Sequence, residues 1–254
     1  MRFLHASAQH IGARRSQEDS FGFSGAEDKA FLAHGGFLAV LCDGMGGMAH
    51  GAEASKTGVT AFLQQYRAKL PNETIPAALL RSVRETNAAV LDLGRQLGAV
   101  EGIGTTLVAA VLHKSFLYYA SVGDSGLFHF SRSTLRLINH PHVFGAFLDQ
   151  AVARGVMTEQ AAMEHPERDA LTSFMGAEPL EEVDSNADPF RLSPGDTVLL
   201  ASDGLFNTLS AKEIRKAMEG DPRKWPELLV ARTLDKKNEY QDNVTVLTLT
   251  VLSQ

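Results

Sequence analysis

Apolar residues along this chain follow two rhythms, and each rhythm predicts a type of element. Phe37-Leu38-Ala39-Val40-Leu41-Cys42 is apolar without a break, which predicts a strand buried on both faces. Residues 3–11 and 19–24 read as shorter strands around the charged turn Arg14-Arg15-Ser16-Gln17-Glu18-Asp19. The spacing becomes helical over 51–69, where Ala54, Val59, Phe62 and Leu63 share a face and Pro71 closes the helix. A second helix is predicted over 75–97, with Thr74 as N-cap and Pro76 in the first turn. Strands return at 105–112, 116–122, 127–131 and 135–138 and read as a meander. Residues 142–175 go back to helix, with Phe144, Phe147, Leu148, Ala151 and Val152 on one face and Thr158 capping a short second helix. This excursion looks like an insertion over one sheet edge. Strands at 190–192 and 197–201, helices at 211–218 and 222–234, and a closing strand at 244–251 complete the series. The order fits an α+β fold, an α-β-β-α sandwich of two mainly antiparallel sheets flanked by helix pairs, and does not fit alternating βαβ units.

Composition narrows the class. The 254 residues are 44% hydrophobic and 21% charged, which is ordinary for a globular chain, and one domain spanning 1–254 is expected. Net charge is −6 with no basic stripe, which argues against nucleic-acid binding. The longest apolar runs, such as 107–112, fall far short of the roughly 18 residues of a membrane span, so no membrane insertion is expected. Ala6-Ser7-Ala8 mimics a signal-peptide cleavage site, but only Phe3 and Leu4 precede it as bulky apolar residues. The lone Cys42 sits inside the apolar run and reads as a buried structural thiol, consistent with a reducing, cytoplasmic setting.

The chemistry lies at strand ends. Asp43-Gly44 follows the first apolar run, Asp203-Gly204 follows Thr197–Ser202, and Asp124 follows Tyr118–Gly123. Asp242 immediately precedes the last strand, and Glu18-Asp19 precede the strand at 19–24. Any one Asp-Gly pair reads equally well as a hairpin turn. In an antiparallel sheet, however, the start of one strand lies beside the end of its neighbour, so these acids can share one rim. Four to six carboxylates gathered there repel one another and raise each other's pKa unless a cation intervenes. All-oxygen ligation suits Mg²⁺ or Mn²⁺. Zinc is disfavoured, because there is no cysteine pair and the nine histidines lack ligand spacing. His140-Pro141-His142 is the one close pair and reads as a surface loop.

On these residues the chain resembles the PPM (protein phosphatase 2C-type) metal-dependent serine/threonine phosphatases in their short bacterial form, over about Ala6–Leu252. Six motifs stand in the family's order. Gly12-Ala13-Arg14 through Glu18-Asp19-Ser20 comes first, then Asp43-Gly44-Met45-Gly46-Gly47 with Gly51 and Ala54-Ser55. Gly104-Thr105-Thr106, Val122-Gly123-Asp124-Ser125, Ser202-Asp203-Gly204 and Asp242-Asn243-Val244-Thr245 follow. The resemblance implies two Mn²⁺ or Mg²⁺ ions bridged by Asp43, with Asp203 and Asp242 on the first and the Gly44 carbonyl on the second. It also implies that Glu18 and Asp19 hold metal-bound waters, that Asp124 helps bind a third, weaker ion, and that Arg14 grips the substrate phosphate. A hydroxide bridging the metals would attack phosphorus in line with no phosphoenzyme, which suits two ions about 3.5–4 Å apart. The guanidinium of Arg14 offers two phosphate oxygens a fork of donors, and Arg15 reads as the solvated charge beside it.

The resemblance further implies phosphoserine and phosphothreonine protein substrates, a bacterial Ser/Thr kinase whose action is reversed, and a monomer. Residues 142–190 correspond to the family's flap, with His165-Pro166-Glu167-Arg168 through Leu171-Thr172 in its closing half. The chain departs from the family at Gly126, where Arg is common, at Met48, where His is common, and at Asn139, where Asp is common. Met45 stands where eukaryotic members carry a candidate general-acid histidine. Two other readings remain at this point: a pseudophosphatase-like, non-catalytic phosphoprotein-binding module, and a stress-response switch phosphatase with the same chemistry but another substrate.

Overall fold

The computed structural model describes residues 2–45, 50–99 and 102–253. A five-stranded and a six-stranded antiparallel sheet face each other. The first contains β1 (Arg2–His10), β11 (Val244–Ser253), β10 (Thr197–Ala201), β6 (Gly126–Ser131) and β7 (Thr134–Leu137), in that order across the sheet. The second runs β2 (Asp19–Phe23), β3 (Phe37–Asp43), β4 (Leu107–His113), β5 (Phe116–Val122), β8 (Asp184–Ser185), and the short β9 (Phe190–Arg191) also pairs with β5.

Strand alternation explains the layers. On β3, Phe37, Ala39 and Leu41 face the other sheet, where they meet Leu200, Leu247 and Leu249. Leu38, Val40 and Cys42 face outward onto α2 (Gly51–Arg67) and α3 (Ile75–Leu97), packing with Phe62, Tyr66 and Leu79. On β11, Val244 and Val246 face a third core built with Trp225 and Leu229 of α8 (Trp225–Leu234) and Ile214 of α7 (Ala211–Ala217). Each large apolar side chain moved from water into these cores contributes about 1.5–3 kcal/mol, which is why period-two runs commit to this sandwich. Thr74 caps α3 by accepting from the Ala77 N–H at 3.3 Å. Cys42 is fully buried, and burial pushes its thiol far up.

Two expectations need correction. The four strands read as a meander belong to both sheets: β4 pairs with β5, whereas β6 pairs with β7 and β10. Gly123-Asp124-Ser125 is therefore a crossing between sheets and not a hairpin within one. Two short helices also escape the periodic reading. α1 (Lys29–Gly35) is seven residues long, starts at an Asp28 cap and ends at Gly36 with φ +72°. α6 (Asp203–Phe206) is a single turn. The insertion carries α4 (Phe144–Ala153) and α5 (Glu159–Met163), the latter capped by Thr158 as expected. Val143 bridges Leu171, so the insertion leaves and re-enters the body side by side.

Candidate active site

One end of the sandwich collects the C-terminal ends of β3, β5 and β10 and the N-terminal ends of β2 and β11. A cavity of about 140 Å³ opens there, lined by Glu18, Asp43, Gly44, Met45, Thr106, Asp124, Leu171, Asp203 and Asp242. Antiparallel pairing supplies the placement. Asp19 stands opposite Asp43 in the β2–β3 register, and Ala201 stands opposite Val246, so Asp203 and Asp242 emerge together. Each sheet contributes carboxylates, and the rim joins them.

The backbone around the acids is close-packed. The Gly44 N–H donates to the Glu18 carbonyl at 3.0 Å, and a Cβ on Gly44 would lie 2.2 Å from the Gly51 carbonyl oxygen. A Cβ on Gly204 would lie 2.0 Å from the Asn243 carbonyl oxygen. The Asp43 carbonyl accepts from the Thr106 N–H and from Thr105 Oγ1, each at 2.8 Å, and its N–H donates to Thr106 Oγ1 at 3.0 Å. These contacts fix Asp43 without using its carboxylate.

Asp19 is 3% exposed. Its Oδ2 accepts from Ser202 Oγ at 2.8 Å and from Thr245 Oγ1 at 2.7 Å, both on the opposite sheet. Its Oδ1 has no hydrogen-bond partner among the described residues. Glu18 is held by its neighbours: its N–H donates to Asn243 Oδ1 at 2.6 Å, and its Oε1 accepts from Ser16 Oγ at 2.9 Å. Asn243 Nδ2 donates in turn to the carbonyls of Ile11 and Ser16. Gly12, at φ +66°, lies so close to Asp242 that no side chain fits, and this presses the Arg14 loop against the rim. Arg14 Nη2 donates to Asp242 Oδ2 at 2.5 Å.

The electrostatics match the crowding. Burial, then the charges of Asp19, Asp203 and Asp124, raises the Asp43 carboxyl well above its ordinary range. Burial also raises Asp19, against the pull of its Thr245 and Ser202 donors. Asp203 is pushed up to about 7 by burial and by Asp124, Asp242 and Asp19. Asp124 reaches about 6 through burial, with Asp169 adding to it. Carboxyls in such a state favour either a proton or a multivalent cation. Among the described residues, no three acid or imidazole groups already converge on one coordination point. The orphaned buried oxygen of Asp19, the mutual repulsion and the all-oxygen donor set nevertheless fit hard divalent cations.

The structure thus brings Glu18, Asp19, Asp43, Gly44, Asp124, Asp203, Asp242 and Arg14 to one rim. Ser202, Thr245, Asn243 and Thr106 join them as supports, and their place in the motifs was the only signal of it. Two departures from the family pattern have local reasons. A Cβ on Gly126 would fall 2.4 Å from the Phe128 ring, so an arginine there would displace that ring. Asn139 is buried and uses its whole amide: Oδ1 accepts from the Leu127 N–H at 2.8 Å, while Nδ2 donates to the Ser125 carbonyl at 2.9 Å and Ser121 Oγ at 3.2 Å. A carboxylate could not donate the last two. Gly46, Gly47 and Met48 lie outside the described residues. The expected surface pair divides, with His140 exposed and His142 buried.

Comparison with known proteins agrees with this geometry. The family model "Protein phosphatase 2C" matches residues 7–245. A serine/threonine phosphatase stp of Listeria welshimeri is 32% identical over 215 residues, covering 83% of this chain and 82% of that relative. The solved serine/threonine phosphatase of S. agalactiae superposes with a TM-score of 0.83 at 26% identity, covering 98% of this chain and all of that one. The catalytic domain of the serine threonine protein phosphatase PstP, solved with two manganese ions, superposes at 0.75 with 26% identity over 99% of each chain.

Proposed function

The chain belongs to the protein phosphatase 2C family, and from that premise we propose how its rim of carboxylates hydrolyses phosphoserine and phosphothreonine in proteins. It is a metal-dependent serine/threonine phosphatase; the ions, the residue roles and the partner are the proposal. Asp43 would contact two Mn²⁺ or Mg²⁺ ions, Asp203 and Asp242 the first, and the Gly44 carbonyl the second. Glu18 and Asp19 would act through water, and Asp124 would help hold a weaker third ion. When bound, such ions neutralise phosphoryl charge and make water a nucleophile at neutral pH.

The chain's own residues do the rest. Asp43 is carried on a strand buried on both faces, so its position costs no reorganisation during reaction. Ser202 and Thr245 orient Asp19 from across the sandwich. Arg14 offers the phosphate two donors in place of its Asp242 partner. Leu171, from the re-entry of the insertion, lines one side of the cavity. Hydrolysis would be a direct displacement: the water oxygen–phosphorus bond forms, the ester phosphorus–oxygen bond breaks, and the serine or threonine oxygen leaves with a proton.

Residues 1–254 would act as one domain, with 142–190 as a flap beside the cavity. The enzyme would reverse a bacterial Ser/Thr kinase as a cytoplasmic monomer; no helix among the described residues is long and apolar enough to cross a membrane. A non-catalytic module is not favoured, since the departures at Gly126 and Asn139 remove no carboxylate from the rim. One observation carries the proposal: acids from both sheets meet at one rim where burial raises Asp43, Asp124 and Asp203, and the neighbouring acids raise Asp43 and Asp203 further. With added Mn²⁺ the purified protein should hydrolyse p-nitrophenyl phosphate and a phosphothreonine peptide, and excess chelator should stop both. Full turnover in chelator would exclude the mechanism.

A further inference from the structure

His142 stands directly behind the turn that carries Asp124. Its residue is 6% exposed, whereas the His140 side chain is 86% exposed. The His142 N–H donates to the Gly123 carbonyl at 3.0 Å, and the Gly123 N–H donates to His142 Nδ1 at 3.1 Å. Both backbone polar groups of the residue before Asp124 are therefore held by one side chain and its own peptide. Nδ1 serves as acceptor, so the ring proton sits on Nε2.

Gly123 leaves no slack on its other face. Its φ is +93°, and a Cβ would lie 2.8 Å from Thr106 Cγ2. Thr106 is the residue whose Oγ1 takes the Asp43 N–H. Just past Asp124, Asn139 holds the Ser125 carbonyl, and Ser125 Oγ lies 2.7 Å from Thr106 Oγ1. His142 also accepts the Thr172 N–H on its carbonyl at 3.0 Å, which ties the same clamp to the base of the insertion.

We infer that His142 is a positioning residue: its Nδ1 fixes Gly123 and so sets where the Asp124 carboxylate stands relative to Asp43 and Asp203. The inference rests on the reading of Asp124 as a ligand of the weaker ion. A buried N–H that loses its acceptor turns to find another, and turning Gly123 swings Asp124 with it. Groups that orient metal ligands govern affinity by roughly 10–100-fold, and His142 acts one residue removed, so the lower end applies.

Asparagine and glutamine separate the roles. His142→Asn keeps an oxygen near the Nδ1 position, whereas His142→Gln carries its amide out toward Nε2 and leaves Gly123 without an acceptor. Mn²⁺ binding is read from the free-ion electron paramagnetic resonance signal during titration of wild type, both variants, Asp124→Asn and the His142→Gln/Asp124→Asn double variant. Asp124→Asn should lose the weakest class of sites. His142→Gln should weaken that class about tenfold and spare the tighter ones, His142→Asn should stay within about twofold of wild type, and His142→Gln should add nothing once Asp124 is gone. Wild-type weak binding in His142→Gln, an equal shift in every class, or the same loss on the Asp124→Asn background would overturn the inference. If Asp124→Asn itself leaves all classes intact, the reading of Asp124 falls and takes this inference with it. Should His142→Gln fail to fold, His142→Leu, which also lacks an acceptor, carries the same expectation.

Discussion

Replacing Asp203 by asparagine should stabilise the metal-free protein while abolishing turnover. Asp203 titrates at about 7 instead of 3.8, first because it is buried and then because Asp124, Asp242 and Asp19 surround it. A carboxyl raised in the folded state carries no penalty below its unfolded pKa. Stability is lost as pH climbs from about 3.8 to about 7, and the loss is complete above that. At about 1.36 kcal/mol per pH unit, the ceiling is about 4 kcal/mol at pH 8. Protein surrounds most of the carboxyl, but the residue opens onto the cavity and solvent there screens its charge, so a gain of about 1–2 kcal/mol is expected. Asn207 Nδ2 donates to Asp203 Oδ2 at 3.0 Å, a bond that an amide oxygen keeps. Urea unfolding in excess chelator should show the variant ahead of wild type at pH 8 and level with it near pH 4. Saturating Mn²⁺ should reverse the order, since a ligand that binds only the folded state stabilises the chain that holds it best. A variant destabilised equally at both pH values in chelator would refute the argument that repulsion at this rim strains the fold.

Three other substitutions probe the supports. Asn243→Ala removes bonds to the Glu18 N–H and to the Ile11 and Ser16 carbonyls; a loss of about 2–3 kcal/mol in denaturant titrations is expected, and an unchanged midpoint would count against it. Gly204→Ala sets a methyl against the Asn243 carbonyl and should cost at least about 2 kcal/mol, a fall of roughly 5 °C in Tm by calorimetry. Arg14→Lys loses the fork of donors and should raise KM for p-nitrophenyl phosphate about tenfold with kcat within about threefold; an unaltered KM would remove Arg14 from phosphate binding.

Much of this was legible in the chain because strands and long helices write their burial into spacing. The run 37–42 announced a strand covered on both sides, and α3 runs from Ile75 to Leu97 as its caps indicated. Partner choice left no such trace. The alternation of β5 and β6 is the same whether they pair with each other or lie in different sheets, so the crossing at Gly123-Asp124-Ser125 was hidden. The rim acids could be found because each ends or starts a strand. Their supports were marked only by their place in the motifs, because a serine such as Ser202 shows by itself no preference for a carboxylate across the sandwich. Asn139 looked like a loss when compared with a family pattern, yet its amide makes three hydrogen bonds that only the folded contacts reveal. One-turn elements such as α6 are too short for any period.

β1 and β11 pair from Arg2 with Ser253 to His10 with Val244, so the opening strand waits for the closing one. During synthesis, β1 stays an unmated ribbon until residues 244–253 have been made, a state prone to mispairing. Asp19 and Asp43 emerge early, but Asp242 leaves the ribosome only just ahead of β11. A fragment cut before Asp242 would therefore lose both the strand that joins β1 to β10 and one acid of the rim, so that sheet and rim are completed by the same short stretch of chain.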